Sequence, residues 1–249
     1  MQTRSFFQIS LCLITVVFLL SCNKDDRLFC TKGKGDIVSE NRNHSEFNRI
    51  YLETNANVFV TIDTEYGVRV ESYENIAPLI KTNQEGSRLR ISRDECIRRT
   101  NDHINVYIST SDINALEITG SGNIIVQNTF NTFRVNNKIS GSGSITFNAN
   151  VQELNNTISG SGNIHLTGST NIHNIDISGS GDVRAYNMQS TSADINISGS
   201  GNADVWVTGK LVALISGSGV VRYIGFPTTD VEITGSGSVL NMNSSGTKF

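Results

Sequence analysis

The chain has 249 residues, of which 20 are basic and 23 acidic, and its formal net charge is −3. This length suits one large all-β domain or a solenoid. Because the sequence has no basic excess, its composition argues against a nucleic-acid-binding protein.

The first segment in chain order is an apolar stretch from Phe6 to Leu20, and Arg4 is the only charge before it. The stretch is too short for a transmembrane helix and is typical of the core of a signal peptide. It ends in Leu19-Leu20-Ser21-Cys22, which resembles the bacterial lipoprotein signal, where the thiol is acylated and the chain is cut just before it. We therefore predict a signal peptide at residues 1–21 and a palmitate-type anchor on Cys22. A plain secretory signal, with Cys22 incidental, is the alternative.

Residues 22–40 are predicted to form a polar tether. Asn23-Lys24-Asp25-Asp26 resembles a surface-export signal of lipoproteins in some Gram-negative bacteria, so we expect an outer-membrane protein exposed at the cell surface. Outside the signal and Cys22, the sequence has two cysteines, Cys30 and Cys96. An even pair in an oxidising envelope favours a disulfide that ties the tether to the first structured region. Two separate buried thiols are the alternative.

Residues 41–117 have strand patterns without a regular repeat, and a short helical turn is expected near Pro78. The expected strands are Val68–Val70, Leu89–Ile91 and Ile104–Ile108. Leu52–Val60 parallels Ile118–Val126 at an offset of 66 residues, which corresponds to three coils of about 22 residues. This region is predicted to form irregular first coils and a cap on one end of a solenoid.

Residues 118–243 are dominated by Gly-Ser-Gly, which occurs seven times at spacings of 18 to 21 residues. The triplets begin at Gly120, Gly141, Gly160, Gly179, Gly199, Gly217 and Gly235. An isoleucine stands two residues before every triplet, and an apolar residue stands four residues after its first glycine. This period of two indicates strands on both sides of a tight corner. Glycine suits a corner that needs a positive φ or a close approach of two backbones.

Stacking of these units predicts the fold class. One unit cannot bury its own apolar row, whereas a stack of units can. Identical residues at the same place in every repeat favour in-register parallel stacking over a flat array of hairpins. We therefore expect an all-β, right-handed parallel β-helix with about seven Gly-Ser-Gly coils and less regular N-terminal coils.

The same register predicts an exposed binding face on three consecutive coils. If positions four and six after the first glycine point inward, positions five and seven point outward. Position seven is occupied by Tyr186, Trp206 and Ile224, and position five by Arg184, Asp204 and Arg222. An apolar column beside a column of alternating charge suits sugar rings or a protein partner. The candidate ligand-binding residues are Tyr186, Trp206, Arg184, Asp204 and Arg222. The alternative is that loops or the two arginines cover the rings, so that the column only stabilises the sheet.

No pattern in the sequence predicts catalysis, a metal site or a cofactor. Residues 118–249 lack the facing carboxylate pair of a glycosidase and the carboxylate cluster of a lyase. The four histidines, His44, His103, His165 and His173, are interpreted as surface residues rather than zinc ligands. A polysaccharide-processing enzyme of the β-helix type and a purely structural envelope protein stay open as alternatives to binding.

The order of these segments resembles the head-GIN-domain family of putative autotransporter adhesins. The resemblance covers about residues 35–243, and its most specific part is the triplet followed by Asn-Ile, as at Gly120–Ile124 and Gly160–Ile164. Asn55-Ala56-Asn57-Val58 departs from the Gly-Ile-Asn of the family name. The resemblance implies a β-helix of the pectin-lyase type and a role in adhesion. The expected partners are the membrane, through Cys22, and a glycan or a surface protein of a host or neighbouring cell; self-association stays open.

Overall fold

The computed structural model describes residues 30–98 and 103–243, which form one continuous 17-stranded sheet. The strands are β1 (Ile37–Arg42), β2 (Arg49–Leu52), β3 (Asn57–Ile62), β4 (Gly67–Tyr73), β5 (Ile80–Glu85), β6 (Arg88–Arg93), β7 (Asn105–Thr110), β8 (Ala115–Ile118), β9 (Asn123–Val126), β10 (Phe130–Ile139), β11 (Ser144–Ile158), β12 (Asn163–Ile177), β13 (Asp182–Ile197), β14 (Asn202–Ile215), β15 (Val220–Ile224), β16 (Thr228–Ile233) and β17 (Ser238–Asn241). The helical turn expected near Pro78 is a 3-10 turn at Ala77–Leu79. Among the described residues, no helix is long and apolar enough to cross a membrane.

From β8 onward the chain winds as a β-helix whose successive coils pair in parallel. Ile139 lies opposite Ile158, which lies opposite Ile177 in the next coil. The isoleucine that precedes each triplet is buried in the first six coils, and together these residues form a column at the centre of the core. The predicted fold class, an all-β β-helix of about seven Gly-Ser-Gly coils after less regular N-terminal coils, is confirmed.

The Gly-Ser-Gly corners stack backbone on backbone. A Cβ atom on Gly141 would lie 1.9 Å from the carbonyl oxygen of Gly120, and one on Gly143 would lie 2.0 Å from that of Gly122. Among the described residues, the glycines with a positive φ are Gly35, Gly86, Gly168 and Gly225, none of which belongs to a triplet. Of the two reasons that the sequence offers for glycine, close approach is therefore the one that applies.

The N-terminal coils have an order that the sequence did not predict. Leu52 in β2 lies directly opposite Ile118 in β8, and Asn57 in β3 lies opposite Asn123 in β9. The offset of 66 residues therefore joins adjacent coils, and the prediction that it spans three coils of about 22 residues is wrong. Strands β6 and β7 pair with the other sides of β2 and β3, because the chain leaves the stack after β3 and returns outside it.

A cap covers this end of the β-helix. Strands β4 and β5 run antiparallel to β7 and β6, and β1 pairs antiparallel with β4. Inside the edge formed by β5, Thr82 contacts His44 Nε2 at 2.9 Å. The Gln84 amide donates to the carbonyl oxygen of Glu46 at 3.0 Å. The segment before β2 thus provides hydrogen-bond partners for the polar side chains of β5, the strand at the outer edge of the cap.

A disulfide fastens the beginning of the described chain to the cap. Cys30 and Cys96 are bonded, with their Cα atoms 4.7 Å apart, and Thr31 forms a parallel bridge with Ile97. Residues 30–40, which the sequence placed in the tether, are thus held against the domain by this bond and by β1. The predicted signal peptide and the predicted acylation site, Cys22, lie outside the described residues.

One histidine that the sequence placed at the surface lies in the core. His173 is fully buried, and its Nε2 lies 2.8 Å from the side-chain nitrogen of Asn156. Asn156 in turn accepts from the amide of Asn137 at 2.8 Å. His173 takes the position that Leu154 has one coil earlier. The buried polar cluster therefore extends over three successive coils, with Asn137 in β10, Asn156 in β11 and His173 in β12.

Candidate binding surface

A continuous column of outward-facing side chains runs along one face of the β-helix, one residue per strand. In spatial order, the long column consists of Asn41, Arg69, Tyr107, Phe59, Ile125, Thr146, His165, Arg184, Asp204, Arg222 and Leu240. It is aromatic and apolar near the cap and charged in the later coils. Because stacked strands lie about 4.8 Å apart, neighbouring members of the column are in reach of each other.

The three charged residues of the predicted binding face are neighbours in this column. Arg184 lies opposite Asp204, which lies opposite Arg222. Asp204 forms an ion pair with Arg222 at 3.2 Å, whereas Arg184 pairs with Asp182 on its own strand at 3.3 Å. The charges therefore compensate one another within the sheet.

The apolar column predicted beside them is interrupted. Ala185 lies opposite Val205, but the next pair in register is Gln189 with Trp206. Tyr186 therefore does not lie opposite Trp206, and the predicted continuous column is wrong at this point. The cause is repeat length: the triplet spacing is 20 residues in the coil of β13 and 18 in the coil of β14. The longer coil bulges at residues 186–188, where Met188 turns into the core.

Tyr186 and Trp206 are both half-buried. Burial, followed by the charge of the Asp204 carboxylate, raises the pKa of Tyr186 to about 12. The phenol therefore stays protonated and is hydrogen-bonded to Asp204. Trp206 lies opposite Ile224, as predicted. In this part of the surface the charged and polar side chains are therefore already paired with one another.

A concave surface that was not predicted from the sequence lies near the cap. Residues 41–44, at the end of β1, lie beside β4 and, together with the outward faces of β4 and β7, line a groove of about 520 Å³. The groove is lined by Asn41, Arg42, Asn43, His44, Thr61, Tyr66, Gly67, Val68, Arg69, Tyr107, Ile108, Ser109 and Gln127. We call it the cap groove. Its parts come from five separate stretches of the chain, which the rearranged strand order brings together. The alternation in β3 and β7, which turns the rings of Phe59 and Tyr107 outward, was the sequence signal for an aromatic surface next to it.

The ring of Tyr107, which lines the cap groove, is packed on both of its faces. The rings of Phe59 and Tyr107 stack with centroids 5.3 Å apart, and the Arg69 guanidinium covers the other side of Tyr107 at 4.1 Å. Glu71 holds Arg69 at 3.1 Å. A hydrogen bond from His103 holds the pKa of the Glu71 carboxyl below its usual range, so this carboxylate is an anchor for Arg69 rather than a proton donor.

The polar groups of the cap groove are mostly neutral. Burial, together with the charge of Arg42, lowers the pKa of His44, so its imidazole is uncharged at neutral pH. Arg42 forms an ion pair with Glu40, and the Tyr66 hydroxyl is hydrogen-bonded to Ser111. Across the described ranges, no group of three or more histidine, cysteine, aspartate or glutamate side chains could hold a metal ion.

Comparison with solved structures shows the same fold in several bacterial proteins. A putative adhesin from Bacteroides fragilis NCTC 9343 superposes with a TM-score of 0.81 at 23% identity, over 85% of this chain and 99% of that one. A putative lipid binding protein from Parabacteroides distasonis ATCC 8503 gives a TM-score of 0.71 at 22% identity, over 85% and 98%. A putative adhesin from Parabacteroides merdae ATCC 43184 gives 0.70 at 17% identity, over 85% and 98%.

A search of functionally curated proteins finds no match. The sequence profile described as putative auto-transporter adhesin, head GIN domain, matches residues 46–227. This range includes the strands β2 to β15 and six of the seven Gly-Ser-Gly corners. The chain therefore belongs to the family of putative auto-transporter adhesins with a head GIN domain.

Proposed function

We propose that this protein is a cell-surface binding protein, anchored to the outer membrane of a Gram-negative bacterium through Cys22, that recognises a glycan of a host or neighbouring cell. The family supports an adhesive role. The observation that carries the choice of ligand is the cap groove, whose volume of about 520 Å³ is within the range of small-ligand sites.

The chemistry of the cap groove favours a neutral, hydroxyl-rich ligand. Its arginines form ion pairs with Glu40 and Glu71, so their charges do not favour an anionic ligand. The amides of Asn41, Asn43 and Gln127 line the groove and can donate to and accept from sugar hydroxyls. Glycans are bound mainly by such planar polar groups beside aromatic rings.

Other ligands are less well supported. A protein ligand would need a broader contact than this groove provides, because a stable protein interface buries about 800 Å² on each partner. One structural neighbour is described as a lipid binding protein. Here the interior of the β-helix is filled by isoleucine, valine and leucine side chains, so an acyl chain would have to bind at the surface. A polysaccharide-processing enzyme would bind the same class of ligand but would consume it.

The proposal can be tested by filling the groove. Gly67 lines it, and a Cβ atom added there would have no atom within 4 Å. A glutamine at this position would therefore enter the groove without displacing the fold. The purified protein is first screened on an array of immobilised glycans and matrix proteins, and hits are compared between wild type and Gly67→Gln.

A matched control is Ser180→Gln, which places the same side chain on the exposed serine of a Gly-Ser-Gly corner. We expect Gly67→Gln to weaken glycan binding by about tenfold or more, with an unchanged melting temperature, and Ser180→Gln to bind as wild type. Binding that survives Gly67→Gln but is lost in Trp206→Ala would move the site to the later coils. Turnover of a bound polysaccharide would replace the binding function with the enzymatic one.

A further inference from the structure

The two ends of the β-helix differ. The cap closes the first end, whereas the last coil, formed by β16 and β17, has no strand beyond it among the described residues. Its inward-facing residues Val231 and Ile233 are 40% and 41% exposed, while Ala213 and Ile215, one coil earlier, are 1% and 0% exposed. No described residue therefore covers the core at this end.

The outer edge of β16 also has backbone groups without a strand partner in the described part of the chain. Within residues 30–98 and 103–243, strand β16 pairs with β14 on one side only. The N–H of Thr234 bonds to Ile215 at 2.9 Å. Because the amides of a strand alternate in direction, those of Val231 and Ile233 face away from β14. An edge of this kind is a template for an added strand.

The outward face beside this edge is acidic. A groove of about 590 Å³ is lined by four carboxylates and by Leu214. The carboxylates are Asp176, Asp194, Asp230 and Glu232. In the part of the chain that the structure describes, none of them has an ion-pair partner. At the other end of the same face, Glu117 pairs with both Arg88 and Lys138.

A second copy of the chain fits this edge poorly. An antiparallel pairing of β16 with its own copy, centred on Val231, would place Asp230 opposite Glu232, and like charges directly opposite are destabilising. Head-to-tail stacking would bring the edge against β5, whose inward Thr82 and Gln84 are already hydrogen-bonded within the cap.

We propose that the outer edge of β16 binds an extended segment of a partner protein in which basic residues alternate with apolar ones. Its backbone continues the sheet, its apolar side chains cover Val231 and Ile233, and its basic side chains pair with Asp230 and Glu232. This site is separate from the cap groove and does not depend on the glycan proposal.

The experiment uses the purified protein and a fluorescent peptide of three alternating lysine–valine pairs, blocked at both ends. The controls are a peptide with three lysines followed by three valines and one of alternating glutamate and valine. We expect only the alternating lysine–valine peptide to bind. Asp230→Lys combined with Glu232→Lys should weaken its binding by about tenfold or more and give binding of the glutamate–valine peptide. Val231→Pro, which removes an edge donor without breaking the pairing to β14, should abolish binding of either peptide.

Equal binding of the alternating and the block peptide would overturn the proposal, since it would show attraction of charge without strand addition. So would an unchanged affinity in Val231→Pro, provided that its circular dichroism matches wild type. If the protein is a dimer in analytical ultracentrifugation and does not bind the peptide, a second copy covers the edge. Binding only by a chain ending at Asn243 would show that residues 244–249 are the occupant, and either result rejects the partner segment.

Discussion

At the scale of the residue, the corner glycines are the positions where the fold tolerates least change. A Cβ atom on Gly179 would lie 2.0 Å from the carbonyl oxygen of Gly160, which is backbone and cannot rotate away. We expect Gly179→Ala to lower the free energy of unfolding by about 1–3 kcal/mol. The matched control is Ser180→Ala in the same triplet, which should stay within about 0.5 kcal/mol because that side chain is exposed. Chemical denaturation measures both, and equal effects would contradict the stacked corner.

His173 makes stability depend on pH. Burial lowers its pKa to about 4, and its Nε2 accepts from Asn156 while its Nδ1 has no hydrogen-bond partner. An imidazole that is neutral when folded and has an ordinary pKa when unfolded binds protons preferentially in the unfolded state. Its contribution to stability is complete above about pH 6.5 and is lost as the pH falls toward 4, on the order of 3 kcal/mol in total.

The comparison that isolates this effect is His173→Gln, which keeps a polar side chain next to Asn156 and does not titrate. We expect its free energy of unfolding to fall less between pH 6.5 and 4 than that of the wild type. The acidic residues titrate in both proteins, so they cancel in the difference. Parallel pH profiles would mean that His173 is protonated without unfolding, through water that reaches the core.

At the scale of the element, the sequence predicts the strands that recur in every coil, but it does not predict the strands of the cap, which have no repeat. The isoleucine column and the corner glycines repeat with every coil, so periodicity located the strands around them correctly. The strand order of the cap was not predictable from the sequence. The offset between Leu52 and Ile118 gives only the number of residues between them, and it does not show that the intervening strands lie outside the stack. The break between Tyr186 and Trp206 follows from a difference of two residues in repeat length, which the spacing showed but which does not reveal where the extra residues bulge.

Candidate sites depend on the same distinction. The charged neighbours Arg184, Asp204 and Arg222 were predicted from register alone, because their strands remain in step. The cap groove could not be predicted, since its walls come from strands that are distant in sequence and adjacent only in the rearranged cap. His173 was misplaced for a related reason. A polar residue at an inward position is easily taken for a surface residue unless its buried partner, here Asn156, is known to face it.

At the scale of the whole molecule, the disulfide and the proposed anchor together orient the β-helix. Cys22 precedes Cys30 by eight residues, and a chain of that length spans at most about 30 Å. If Cys22 is acylated, the capped end lies near the membrane and the later coils, with the open edge of β16, extend away from it. This arrangement would place the more exposed end of the molecule where a partner can reach it.

Whether either proposed binding surface acts at the cell depends on the proposed anchor. We expect a labelled fatty acid to be incorporated into the wild-type protein and not into Cys22→Ala, and the variant to move from the membrane fraction to the soluble fraction. More than one acyl chain is needed for durable attachment, since each buried methylene contributes only about 0.8 kcal/mol. Cys30→Ala combined with Cys96→Ala is the control, because it removes thiols that the structure places in a disulfide and should leave the label in place. Wild-type protein that is unlabelled and soluble would refute the anchor, and the cap would then have no fixed orientation toward the membrane.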